Sequence, residues 1–269
     1  MIPVLQVGDR AISNNELIPL LKQYGILPQL MREVIIDSAI ANHTLTTDEN
    51  TQAYKQFYQQ HQLKSEDDLQ AWLQARGLNR EQLDYLATRN IKLENFKRSN
   101  WGDKLQSHFL QRKAKLDRVV YSLIRVKDIC IAQELYFRIQ EGEQSFSELA
   151  REYSQGAEAQ TGGLIGPVEL GVPHPILANM LASVQPGQLL PPTSLGDWIV
   201  VVRLEKQLPA QLDEEMQQRL LNELFEHWLQ TQLKENLQNL QAESTQHQVE
   251  RAGDPSDVPP EVLFSDKSQ

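Results

Sequence analysis

Phe146-Ser147-Glu148-Leu149-Ala150-Arg151-Glu152-Tyr153-Ser154, followed by Gly162-Gly163-Leu164-Ile165-Gly166, is the stretch on which the reading of this chain turns. Ser145-Phe146-Ser147-Glu148 is a capping box: the serine hydroxyl and the glutamate three residues on satisfy amides that a helix start leaves orphaned. The pattern predicts a helix and then a glycine-rich loop from Gly156 to Gly166. Upstream, Val119-Val120-Tyr121-Ser122-Leu123-Ile124-Arg125-Val126 is short and β-branched, which predicts a strand. A helix carrying Ile131, Leu135 and Ile139 separates that strand from the box. Downstream, Ile176 to Leu181 is helix-like, Gln185-Pro186-Gly187-Gln188 signals a turn, and Trp198-Ile199-Val200-Val201-Val202-Arg203-Leu204 is the strongest strand in the chain. Strand, helices and strands without regular βα alternation predict an α+β domain with a small antiparallel sheet, spanning 118–207.

Outward from this domain the pattern is helical. Residues 1–117 hold boxes at Ser13-Asn14-Asn15-Glu16 and Thr46-Thr47-Asp48-Glu49. Ser65-Glu66-Asp67-Asp68 and Asn79 mark two further starts, and Gly25 and Gly77 mark two stops. Pro28 opens a helix carrying Leu30, Met31, Val34, Ile35 and Ala39. From Asn79 a long segment carries Leu83, Leu86, Ile91, Leu93, Phe96, Leu105 and Leu110. Five or so amphipathic helices predict a bundle over 1–117. Residues 208–243 predict one long helix with Leu212, Met216, Leu220, Leu224, Trp228, Leu233, Leu237 and Leu240 as its apolar stripe. Such a stripe needs a partner: either the N-terminal bundle or a second copy, which would make a homodimer. Residues 244–269, with Gly253, Pro255, Pro259 and Pro260, predict a flexible tail.

Composition narrows the function. A net charge of -10 argues against the clustered basic face that nucleic-acid binding needs. The single cysteine, Cys130, excludes an intramolecular disulfide framework and a Cys-based zinc cluster. The six histidines show no metal-binding spacing, so neither a metal nor a cofactor is expected. With no run of 18 apolar residues, no membrane span is expected. MIPVLQVGDR lacks a basic stretch followed by an apolar core, so no signal peptide is read. The expected location is the cytoplasm if this start is native, and the periplasm if an export signal has been removed.

Four motifs in the middle domain carry a resemblance. Phe146 to Ser154 resembles the F-x-E-L-A-x-x-Y-S helix of parvulin-type (PpiC, rotamase) peptidyl-prolyl isomerases. Gly162-Gly163-Leu164-Ile165-Gly166 is similar to their G-G-x-L-G loop, and Gln185-Pro186-Gly187-Gln188 to their x-P-G-x turn. Leu195-Gly196-Asp197-Trp198-Ile199-Val200 sits where the family has F-G-Y-H-I-I. The flanks, with Val7-Gly8-Asp9-Arg10-Ala11-Ile12-Ser13 leading into helices and a helix after the domain, resemble SurA-like chaperones. The resemblance covers residues 1 to about 240. It implies a helical chaperone module formed by N- and C-terminal helices, with the parvulin domain as an insert.

Parvulins turn X–Pro bonds without a cofactor. The barrier of about 18–20 kcal/mol is electronic, so a pocket that favours the twisted amide lowers it without a nucleophile. Family members surround an apolar proline pocket with two histidines and a cysteine or aspartate. The resemblance maps those three positions onto Leu123, Trp198 and Gly156, so none of the usual polar groups is present. The acidic residue common in the glycine loop is Leu164, and the proline-pocket positions fall at Pro173 and Leu177. Substrate contact is therefore expected from Leu123, Leu164, Pro173, His174, Leu177 and Trp198, with no catalytic residue assigned. Replacing both histidines together is self-consistent, because one alone would leave a buried polar group unpaired.

Each of these residues also has a plainer reading. Trp198 is a stacking platform for proline or a core aromatic on a strand. His174 replaces a lost polar group or is an exposed loop residue. Trp72, Phe57 and Tyr58 line a peptide groove or pack as helix core. Three functions remain open. One is a chaperone that holds unfolded, proline-containing polypeptide with isomerase activity weak or lost. The second is an active isomerase using an apolar pocket, and the third a non-catalytic accessory of a secretion or assembly machine.

Overall fold

The computed structural model describes residues 4–252, and side chains to residue 240. The chain divides into two compact units. One comprises residues up to Gly102 together with those from Leu221 onward, and the other runs from Asp103 to Leu220.

The first unit opens with a two-stranded antiparallel hairpin, β1 (Leu5–Val7) and β2 (Arg10–Ile12). It turns at Gly8, which has a φ of +59°. The helical reading of 1–117 missed this hairpin, because three-residue strands give no periodicity to count. Then come α1 (Asn14–Gln23), α2 (Leu27–Ile40), α3 (Thr47–Gln60), α4 (Glu66–Arg76) and α5 (Arg80–Trp101). Capping boxes form at Ser13, Thr46, Ser65 and Asn79. The long segment after Asn79 is not continuous. A 3₁₀ turn at Gly102–Lys104 separates α5 from α6 (Leu105–Leu116), where glycine gives helix the least support.

Helix α10 (Glu214–Ala252) completes this unit from Leu221 onward. It continues past residue 243, so residues 244–252 extend the helix rather than begin a tail; 253–269 lie outside the described residues. Leu220, Leu221, Phe225 and Leu229 are buried, with Leu224 and Trp228 half-buried beside them. The expected stripe thus holds at Leu220 and in part at Leu224 and Trp228, but leaves out Leu221, Phe225 and Leu229. Phe225 and Leu229 pack against Ile36 and Ile40 of α2 and Phe96 of α5. Arg32 donates to both Glu226 carboxylate oxygens at 2.6 and 3.0 Å. The buried Lys97 ammonium donates to Glu94 at 2.7 Å and Asn222 at 2.8 Å, 5.0 Å from the Phe225 ring. A second core in this unit joins Phe57, Leu69, Leu73, Leu83 and Ala87.

The second unit holds α6, β3 (Arg118–Val126), α7 (Ile129–Gln140), α8 (Phe146–Tyr153), β4 (Leu164–Glu169), α9 (Pro175–Ala182), β5 (Leu189–Leu195) and β6 (Trp198–Leu208). The four strands form one antiparallel sheet in the order β4-β3-β6-β5. This is the α+β architecture the sequence predicts. The glycine-rich stretch is more ordered than a loop: Ala157–Thr161 is a 3₁₀ turn and β4 begins at Leu164.

Strand pleat sorts the core into two layers. On one sheet face Tyr121, Leu123, Val200, Val202 and Leu204 pack against Leu177 and Leu181 of α9. On the other, Ile124, Val126 and Val201 pack against Leu135 of α7 and Phe146 and Leu149 of α8.

Candidate functional site

The candidate site lies on the α9 side of the sheet. Register places Leu123 opposite Val202 and Arg125 opposite Val200, so Tyr121, Leu123 and Arg125 line one face of β3. Leu123 is 7% exposed and Leu177 5%, and both belong to one apolar cluster. The position that the resemblance assigns to the first family histidine is therefore buried among apolar side chains.

Trp198 opens β6 and is half-buried. Its ring lies 5.4 Å from the Lys127 ammonium and 6.0 Å from the Arg125 guanidinium carbon. Pro173 and His174 lead into α9, with Pro173 half-buried and His174 exposed. The His174 Nδ1 accepts from the Ile176 amide at 3.3 Å, so this histidine serves as the helix cap. Leu164 is half-exposed and pairs with Ser122, while its neighbour Ile165 pairs with Tyr121. Pleat thus turns Leu164 to the face opposite Leu123. Leu123 and Leu177 come together, Trp198 stands at the end of the same face, and Leu164 does not join them.

Gly156 lies against a buried ion pair. The Arg125 Nε donates to Glu158 Oε1 at 2.7 Å, and the Arg125 Nη2 donates to Glu158 Oε2. Ser154 Oγ donates to Glu158 at 2.7 Å and accepts from the Arg125 amide at 3.1 Å. A Cβ on Gly156 would overlap both the Arg125 guanidinium and the Glu158 carboxylate. A side chain at this position, where the resemblance places a cysteine or aspartate, therefore has no room while this pair stands.

Glu158 is 2% exposed and Arg125 34%. Burial pushes the Glu158 carboxyl up, but hydrogen bonds from Arg125 and Ser154 outweigh it and hold the group below the ordinary carboxylate range. Burial of the Tyr121 phenol raises it, and the Glu158 charge adds to the rise.

The loop that carries Glu158 is clipped to β3. The Gln155 amide donates to the Arg125 carbonyl at 2.9 Å, and the Leu123 amide to the Gly163 carbonyl at 2.9 Å. Gly162 and Gly163 both have positive φ, +63° and +85°. A side chain on either would run into Ser147 or the Leu123 carbonyl, so this close approach requires glycine. Arg125, Glu158 and Lys127 are absent from the sequence-predicted site. The visible signal was a charged residue, Arg125, inside an otherwise apolar strand. Its partner lies 33 residues away, a separation that no local pattern spans.

In the helical module Phe57 is core and stacks edge-on with Trp72 at 5.4 Å. Trp72 is half-buried with Arg76 4.2 Å over its ring, and Tyr58 is half-buried. Among the described residues no group of three or more His, Cys, Asp or Glu side chains could hold a metal. No helix there is long and apolar enough to cross a membrane.

Residues 125–206 match the sequence profile of the rotamase, or PPIC-type PPIase, domain. No curated protein matches the chain. Among solved structures, the peptidylprolyl isomerase PrsA from Bacillus cereus is 19% identical, with 88% of this chain and 91% of that one covered and a TM-score of 0.46. A SurA-like chaperone from Campylobacter jejuni, of the PEB4 and Cj1289 pair, is 19% identical over 90% of this chain and 98% of its own, with a TM-score of 0.36. The parvulin domain of PpiD from E. coli is 26% identical over 36% of this chain and 95% of its own, with a TM-score of 0.32.

Proposed function

We propose that this chain, whose residues 125–206 match the PPIC-type PPIase domain, acts mainly as a chaperone. It holds unfolded, proline-containing polypeptide, and its parvulin domain binds proline without usefully accelerating isomerisation. The observation that carries this reading is the Arg125–Glu158 pair beside Gly156. The resemblance implies that polar groups of the family's site face the twisting amide. Here the guanidinium and the carboxylate are spent on each other, and the histidine positions hold Leu123 and Trp198.

What remains suits binding. Trp198 offers a half-buried aromatic face at the end of the strand, where a proline ring can stack. Holding an unfolded chain needs apolar and aromatic surface and no reacting group. The test is suppression of aggregation of a denatured, proline-containing client by the full chain. Suppression at a few-fold molar excess, weakened several-fold in Trp198→Ala, is expected. No suppression at any excess would remove the chaperone reading.

A further inference from the structure

The open end of the sheet face that carries Trp198 also carries a cation. The β3–β6 ladder ends at Val126 opposite Ile199, so the next residue, Lys127, comes opposite Trp198. Leu195 of β5 pairs with Trp198 from the other side. Two residues inward, Arg125, Val200 and Thr193 form a second row, and Leu123, Val202 and Leu190 form a third. The floor thus runs from an exposed lysine and a half-buried tryptophan at its open end to buried aliphatic core.

The charges along this floor are not equally committed. Arg125 is already met by Glu158, whose carboxylate takes its Nε and Nη2. The Asp128 carboxylate accepts from the Cys130 amide at 2.7 Å as the cap of α7. Lys127 forms no ion pair among the described residues. Its ammonium instead lies 5.4 Å from the Trp198 ring. A ring face attracts the charge but leaves N–H donors of the ammonium for a ligand.

Resting on the reading that Trp198 stacks on proline, we propose that this site prefers a proline with a carboxylate beside it, and that Lys127 sets the preference. With the proline ring on Trp198, the neighbouring Cα of the client lies about 3.8 Å away. An Asp or Glu side chain there reaches an ammonium that is 5.4 Å from the tryptophan ring. The free carboxylate of a C-terminal proline offers the same chemistry. The net charge of -10 opposes an acidic ligand at long range, but salt screens that repulsion beyond about 8 Å, whereas the contact with Lys127 is short. An exposed ion pair of this kind changes affinity by about two- to fivefold.

The test titrates the full chain with short peptides at about 0.15 M salt. Binding is read from the NMR shift of the Trp198 indole N–H, identified by its loss in Trp198→Phe. The peptides are acetyl-Ala-Glu-Pro-Ala-amide and acetyl-Ala-Pro-Glu-Ala-amide, each with its Gln counterpart, and acetyl-Ala-Ala-Pro with its C-terminus free or amidated. At least one acidic peptide is expected to bind about two- to fivefold tighter than its neutral counterpart. That ratio should fall to about one in Lys127→Met, which keeps the stem, and persist in Lys127→Arg, which keeps the charge. Lys127 is exposed, so neither variant disturbs the core. A preference confined to the free C-terminal proline supports the proposal and names the chain terminus as the source. Equal binding of every acidic and neutral pair, or a ratio that survives Lys127→Met, overturns the proposal and leaves the proline reading standing. No shift of the Trp198 indole with any peptide overturns both.

Discussion

Glu158 is the residue on which the reading of the parvulin domain rests. Its carboxylate is 2% exposed and held by Arg125 and Ser154. Replacing it with glutamine leaves a partly buried guanidinium without its counter-charge, a loss of about 2 kcal/mol, below the roughly 3–5 kcal/mol of fully buried pairs because Arg125 reaches solvent. The pH dependence has a definite sign. The folded carboxyl is held below its unfolded value near 4.5, so its contribution is fully present above that value and is lost as pH falls through the folded one. Denaturant melts of Glu158→Gln should show the largest deficit at neutral pH and a shrinking one below about pH 4. A deficit independent of pH would mean that the pair is not ionic.

Leu123 gives the complementary experiment. Leu123→His introduces the residue type that the resemblance places there, within a cluster of Tyr121, Leu177, Val200 and Val202. A loss of about 2–3 kcal/mol is expected from burying an imidazole among mainly apolar side chains, together with no gain in isomerisation. At this scale the sequence was legible where chemistry is local. Ser13, Thr46, Ser65, Asn79 and Ser145 all cap helices as their neighbours predict. Arg125 and Glu158 were not legible as a pair, because only the fold brings them together.

At the scale of elements, α10 depends on one aromatic contact set. The Phe225 ring lies 6.4 Å from Phe96 and 5.8 Å from Trp228, and it packs on Ile36 and Ile40. Phe225→Ala should cost about 3–4 kcal/mol, read as a lower urea midpoint with an unchanged slope. An effect below about 1 kcal/mol would mean that α10 is held elsewhere. The end of α3 predicts the opposite sign. Gln62→Gly relieves a left-handed residue and should stabilise the module by about 1 kcal/mol. Long periodic segments were read well, but phase and breaks were not. The α10 stripe included the buried Leu220 but missed Leu221, Phe225 and Leu229, since flanking leucines at half-buried positions look the same in sequence as those facing the core. The β1–β2 hairpin and the 3₁₀ turn at Gly102 are too short to leave a period.

For the whole molecule, the proposed reading assigns two tasks to the two units, holding a chain and gripping its prolines. On that reading the net charge of -10 would bias the first task toward basic unfolded clients. Capture of a basic client should therefore weaken about threefold or more between 50 and 500 mM salt, whereas capture of a neutral apolar one should not. Equal salt dependence for both would assign recognition to apolar surface alone. The central claim, that the parvulin domain binds proline but has lost its chemistry, is tested most directly by NMR exchange spectroscopy on an X–Pro peptide with and without the protein. The account predicts chemical-shift changes at Trp198 and at the Pro173–Leu177 segment, with the cis–trans exchange rate unchanged. Exchange accelerated at substoichiometric protein would contradict it and make this apolar site a working isomerase.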